Sequence, residues 1–109
     1  MKELKIKTAE GKEYTLAYNR NTVSQMARNG FNIEDTYNKP TIGIPQLFAG
    51  AFIRYHRGIK QEVVDAIWAE LPSKEKLLEE LIKMYQAPID ALLDEPKEEG
   101  KNASWEVVE

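Results

Sequence analysis

Apolar positions follow a period of two at the start of the chain and helical spacing after it. Leu4, Ile6 and Thr8 alternate with lysines, and Tyr14, Leu16 and Tyr18 alternate with Glu13, Thr15 and Ala17. Glu10-Gly11-Lys12 lies between the two runs. Alternation on both sides of a short Gly-containing turn predicts a β-hairpin. A lone hairpin is marginal in water, so its apolar face needs helices to cover it.

Those helices are legible in turn. Asn21 or Thr22 is placed to cap a short helix carrying Val23, Met26 and Ala27, and Asn29-Gly30 is a C-terminal stop. Phe31 and Ile33 then anchor a loop through Asn38-Lys39-Pro40. A central helix is expected to start at Pro45, because proline suits the first helical position and disfavours the α region for Ile44. Leu47, Phe48, Ala51, Phe52 and Tyr55 form its stripe, and Gly58 ends it. A third helix starts near Ile59 or Lys60 with Val63, Val64, Ile67, Trp68 and Leu71. Ser73 is placed to cap a fourth, which carries Leu77, Leu78, Leu81, Ile82 and Tyr85. Pro88 is expected to break that helix, leaving Ile89, Leu92 and Leu93 for a further turn or two. The sum is one α+β domain over residues 1–94, an N-terminal β-hairpin packed on four to five helices. Residues 95–109 read as a flexible acidic tail, because 95–102 carry no apolar side chain to offset the entropy of ordering.

Composition narrows the chemistry. The 109 residues contain no cysteine and one histidine, which excludes disulfides, thiolate zinc sites, a cysteine nucleophile and His-pair metal motifs. The N-terminus has no apolar signal-like run, and no stretch approaches the ~20 apolar residues that span a bilayer. A cytoplasmic protein with no membrane association is the expectation. Net charge is −3, but residues 94–109 hold six acids against two lysines, so the folded part sums to about +1. That distribution does not suit nucleic-acid binding, which draws its affinity from a basic face.

No catalytic constellation is apparent. His56 has no serine on a strand–turn–helix elbow to activate, and it reads as a half-exposed residue at a helix end, where the dipole favours its charge. Glu79 and Glu80 diverge by ~100° on a helix and do not converge on one site. The glycines are scattered, so no phosphate-binding loop exists. A helix-turn-helix about Gly58 would read DNA with a helix bearing Glu62, Asp65 and Glu70 against Lys60, which repels phosphate; Arg54, Arg57 and Lys60 make only a small basic patch. The reading is a non-enzyme with no catalytic, cofactor or metal residues.

Two features are candidates for partner binding. Phe48, Phe52 and Tyr55 are large, whereas Ala49, Gly50 and Ala51 leave a notch beside them. Glycine in a helix interior costs ~1 kcal/mol relative to alanine, so a close approach is expected at Gly50, by a strand or helix of the same domain or by a partner helix. Trp105, beyond the acidic segment, either folds back on the core or serves as a binding motif. Phe48, Ala49, Gly50, Ala51, Phe52, Tyr55, Arg57 and Trp105 form the candidate partner-binding set.

Several strings resemble a family of small proteins from the tail-gene modules of long-tailed phages and prophages of Gram-positive bacteria, the tail assembly chaperones and their relatives. They are Gly11-Lys12-Glu13-Tyr14, Asn29-Gly30-Phe31-Asn32-Ile33, Lys39-Pro40 with Ile44-Pro45-Gln46-Leu47-Phe48-Ala49-Gly50-Ala51-Phe52, and Met84-Tyr85 with Pro88-Ile89-Asp90-Ala91-Leu92-Leu93-Asp94-Glu95-Pro96. Ser104-Trp105-Glu106 in a short acidic tail completes the set. The resemblance implies a non-catalytic chaperone, in the cytoplasm of an infected or lysogenic bacterium. It binds the helical tape-measure protein before the tail tube forms around it, with the tail tube protein as a second partner and self-association left open. From the residues themselves, the acidic tail is expected to add solubility and to compete with the partner for the Phe48–Tyr55 face. The alternatives are a structural head–tail or tail-completion component of the virion and a small DNA-binding regulator.

Overall fold

Strands β1 (Leu4–Lys7) and β2 (Glu13–Leu16) pair antiparallel, with Leu4 opposite Leu16 and Ile6 opposite Tyr14. The computed structural model describes residues 2–96 and 103–109. Gly11, at φ 89°, lets the turn close, and Thr8 is bonded to Lys12 and Gly11 across it. Ile6 and Leu16 are buried on the helix-facing side, as the alternation requires. Five helices follow in an α+β arrangement: α1 (Arg20–Arg28), α2 (Asp35–Asn38), α3 (Pro40–Gly50), α4 (Gln61–Glu70) and α5 (Lys74–Asp90). A 3₁₀ turn over Ala91–Leu93 extends α5.

Asn19, rather than Asn21 or Thr22, caps α1, its side chain accepting from Thr22 N–H at 2.7 Å. Thr22 is buried and already helical. The stop at Asn29-Gly30 is as read: Gly30 N–H donates to Ala27 and Phe31 N–H to Met26, with Gly30 at φ 93°. This paired closure satisfies two terminal carbonyls and turns Phe31 into the core. The expected loop after Ile33 contains α2 instead. Asn32 Oδ1 accepts from Glu34 N–H, and the Thr36 hydroxyl donates to Ile33 carbonyl. Such local side-chain bonds start a helix too short to show periodicity.

The central helix differs most from its expected bounds. It starts at Pro40, which holds the first position, and carries Pro45 inside it. Pro45 costs one backbone bond, to the carbonyl of Thr41, and Thr41 is an exposed residue of the first turn. Gly43 fixes the earlier start. A Cβ there would fall 2.5 Å from the Asp35 carbonyl oxygen and the Thr36 nitrogen, so α2 and α3 cross backbone to side at that glycine. The helix also ends early, at Gly50. Ala51, Phe52 and Ile53 donate to residues three back, and the Ala51 carbonyl accepts from Ala17 N–H at 3.0 Å. That carbonyl would otherwise have served Tyr55, so the strand extension stops the helix.

Ser73 sits at the N-cap of α5 in a left-handed conformation, φ 54°, and its side chain makes no capping bond. Lys74 instead reaches back to the Leu71 and Ala69 carbonyls at the end of α4. Pro88 does not break α5. It occupies the buried stripe Leu81, Met84, Tyr85, Pro88, and the burial of its ring offsets the bond it cannot make. The core is built from Leu16, Tyr18, Leu47, Phe48, Phe52 and Leu81, all shielded from solvent. Aromatic edges link it: Tyr14 to Phe52 to Phe48 to Trp68 on one side, and Tyr18 to Tyr85 to Phe31 on the other.

Candidate functional site

The structure divides the candidate residues into four groups. Phe48 and Ala51 are buried in the core and present no side chain to a partner. Ala49, Gly50, Phe52 and Arg57 line a cleft of about 290 Å³. Tyr55 is 45% exposed but lies elsewhere: its hydroxyl donates to the Glu3 carboxylate, and the Arg54 guanidinium stacks 5.1 Å above its ring. Trp105 is 87% exposed and packs on nothing. The part of the acidic tail that spans residues 97–102 lies outside the described residues.

Four segments build the cleft, one of them the start of α4 with Gln61 and Val64. The end of α1 supplies Met26 and Asn29, α3 supplies Gln46, Ala49 and Gly50, and the turns after α3 supply Ile53, His56 and Arg57. Gly50 is the hinge of this geometry. A Cβ at position 50 would stand 2.5 Å from the Met26 sulfur, so the missing side chain is what admits Met26 to the α1–α3 contact. The notch therefore receives a side chain of the same domain. Its filler is a thioether with three rotatable bonds, the side chain best able to move aside or repack.

His56 is half-buried beside the cleft, and it does not face helix carbonyls as its position in sequence suggested. Its Nε2 accepts from Thr15 N–H at 3.0 Å, and its ring meets Tyr14 edge-on at 5.1 Å. With Ala51 accepting from Ala17, this covers the outer edge of β2. The imidazole is thus a strand cap, with no serine or carboxylate paired to it among the described residues.

None of the residues lining the cleft is acidic. Apolar groups form its floor, and Asn29, Gln46, Arg57 and Gln61, all exposed, form a rim of amides and one cation. Such a site suits a short apolar segment with polar or acidic flanks. Met26, Asn29, Ile53 and His56 escaped the sequence reading because they sit on two segments outside the α3 stripe, whereas a stripe is read along one. The Asn29-Gly30-Phe31 turn was the available signal, since it aims Phe31 and the end of α1 at α3. Among the described residues, no cluster of three or more acidic or imidazole groups is placed to hold a metal, and no helix is long and apolar enough to cross a membrane.

A family model for a domain of unknown function, DUF5055, matches residues 1–108. The chain belongs to that family. No protein of curated function and no solved structure matches it.

Proposed function

We propose that this protein is a non-catalytic tail assembly chaperone of a long-tailed phage or prophage, acting in the bacterial cytoplasm. Its partner is the tape-measure protein, with the tail tube protein as a second client. The reading starts from the resemblance of the strings around Asn29–Ile33, Ile44–Phe52 and Pro88–Pro96. The cleft between α1 and α3 is the observation that carries it further. A holding chaperone needs an apolar site that accepts varied side chains with modest affinity. Met26 over Gly50 supplies an adaptable floor, and the acid-free rim accepts acidic or polar flanks.

This placement revises how the chain would be used. The Phe48 and Ala51 side chains are core, so in this reading the partner, and an acidic tail that competes with it, meet the cleft side of Ala49 and Gly50 instead. Duplex binding is disfavoured by the outward side of α4, where Glu62, Asp65 and Glu70 are exposed.

Co-expression with the tape-measure protein encoded nearest its own gene tests the proposal. The tape measure is expected to move from the insoluble to the soluble fraction and to co-purify with this chain. A tape measure that stays insoluble rejects the chaperone role. Recovery of the chain in purified mature particles would instead assign it to the virion structure.

A further inference from the structure

The open edge of β1 has no role in the site above. Thr15 and Ala17 turn their N–H groups away from β1, toward His56 and Ala51. In an antiparallel pair the residues opposite must turn outward too. Lys5, opposite Thr15, therefore directs its N–H and carbonyl away from β2, and Lys7 does the same by alternation. Neither backbone group finds a partner among the described residues. The next outward N–H, that of Ala9, is taken by the Glu70 carboxylate at 2.9 Å, which ends the open stretch.

A groove of about 470 Å³ runs beside this edge, against the start of α5. Leu4, Ile6, Leu71, Pro72 and Leu77 supply apolar lining, and Lys2, Lys5, Lys7 and Lys76 stand along it. Lys2 is paired with Glu80, the one acid on the groove. Lys5, Lys7 and Lys76 form no close ion pair among the described residues, with Glu13 opposite Lys7 across the hairpin, so the edge carries three lysines for one neighbouring acid.

Residues 105–107, Trp-Glu-Val, match that edge in both period and charge, and Val108 falls on the same face as Glu106. Trp105, Val107 and Val108 are 87%, 76% and 85% exposed, an apolar cluster with nothing to cover it. In a strand, Trp105 and Val107 share one face and Glu106 points to the other. Laid beside β1, the first pair falls on the side of Leu4 and Ile6, over the groove. Glu106 then falls beside Lys5 and Lys7.

We propose that residues 104–108 of a second copy of this chain add as a third strand to the open edge of β1. The second copy is favoured over the same chain because the chain's own residues 104–108 do not line the groove and Trp105 stays 87% exposed. Leu92 lies against Arg20 and Val23, beyond the C-terminal end of α5. The groove lies at the other end of α5, and 17 helical residues span ~25 Å. The tail thus departs at the end of α5 away from the groove, and residues 94–103, which reach at most ~35 Å, would have to run back along α5 almost extended to bring it there. The contact between copies is heterologous and propagates head to tail. Main-chain bonds supply the affinity, and the Trp105 and Val107 side chains supply the register.

Light scattering on the full chain over a concentration series tests this. The mass is expected to rise above that of one chain with concentration, and to fall back when a peptide of residues 103–109 is added in excess. Trp105→Ser and the pair Lys5→Glu with Lys7→Glu are each expected to remain at the mass of one chain. Trp105 is exposed, so that variant keeps the fold, and circular dichroism verifies it. Amide exchange gives the second readout, with Lys5 and Lys7 protected only in the associated form. A mass of one chain at every concentration, or association that survives Trp105→Ser, overturns the proposal. Protected Lys5 and Lys7 amides in a strictly monomeric protein also overturn it, by assigning the groove to the chain's own tail.

Discussion

The Tyr18 hydroxyl donates at 2.6 Å to the Leu47 carbonyl, inside the core. That carbonyl would serve the Ala51 N–H in a continuing α-helix, but Ala51 donates to Phe48 instead. The tightened end of α3 thus leaves an acceptor behind, and a strand-extension tyrosine satisfies it. Leaving such a group unpaired costs about 1–3 kcal/mol. Tyr18→Phe is expected to lose ~1–2 kcal/mol at neutral pH by the same reasoning, measured as a lower urea midpoint at constant slope.

The same residue sets an alkaline limit. Burial pushes the Tyr18 hydroxyl well above its usual pKa, with Tyr85 adding to the shift, and burial also raises Tyr85. Below the unfolded value of ~10, both states keep the proton and stability is intact. Above it, the unfolded chain ionises while the folded chain does not, so stability falls as pH rises. Tyr18→Phe is expected to flatten this fall, with Tyr85 accounting for what remains. An unchanged pH slope between wild type and variant would sink the assignment.

Two glycines of α3 are close-contact sites of different kinds. At Gly43 an added methyl meets the Asp35 and Thr36 backbone, which cannot yield without moving α2. Gly43→Ala is expected to cost ~1–3 kcal/mol or more, in the range for overpacking. At Gly50 the methyl meets only the end of the Met26 side chain, which can rotate. There the gain in helix propensity, at most ~1 kcal/mol, offsets part of the displacement, and Gly50→Ala is expected to change stability by less. Equal losses at both positions, in denaturant titrations, would show that the α2–α3 crossing is not the tight contact described.

His56 caps a strand edge, and its removal should be felt there. His56→Ala leaves the half-buried Thr15 N–H without an acceptor and is expected to cost ~1–3 kcal/mol. His56→Gln offers a carbonyl oxygen from the same position and is expected to recover part of that loss. Hydrogen exchange at the Thr15 amide reads the effect locally: fast in the alanine variant, slower in the glutamine variant. Protection at Thr15 that is indifferent to residue 56 would remove the cap from the account.

The elements that periodicity governs were legible. The hairpin, the buried stripe of α4 at Val64 and Ile67, and the closure of α1 at Asn29-Gly30 each follow from local chemistry. The errors cluster at prolines and at contacts between segments. Pro45 and Pro88 each forfeit a single bond, and the packing around them (Leu47 and Phe48 in one case, the Leu81–Tyr85 stripe in the other) is worth more than that bond. Gly50 was recognised as a packing position, but the sequence does not show that Met26 fills it. The cleft was half legible for the same reason. Residues on α3 appear in one stripe, while the α1 residues facing them become neighbours only through the fold.

The cleft and the Tyr55 surface can be separated by substitution. Gln46 and Arg57 are exposed on the cleft rim, and Tyr55 stands apart with Glu3 and Arg54. Gln46→Glu with Arg57→Glu makes the rim acidic without touching the core, so stability is expected to change by no more than ~0.5 kcal/mol per site. Solubilisation of a co-expressed tape-measure protein is expected to drop sharply, because acidic flanks of the client then face like charge. Tyr55→Ala is expected to leave solubilisation as it was. The reverse pattern, with the acidic rim harmless and Tyr55→Ala damaging, would move the binding surface from the α1–α3 cleft to the face that Tyr55 shares with β1.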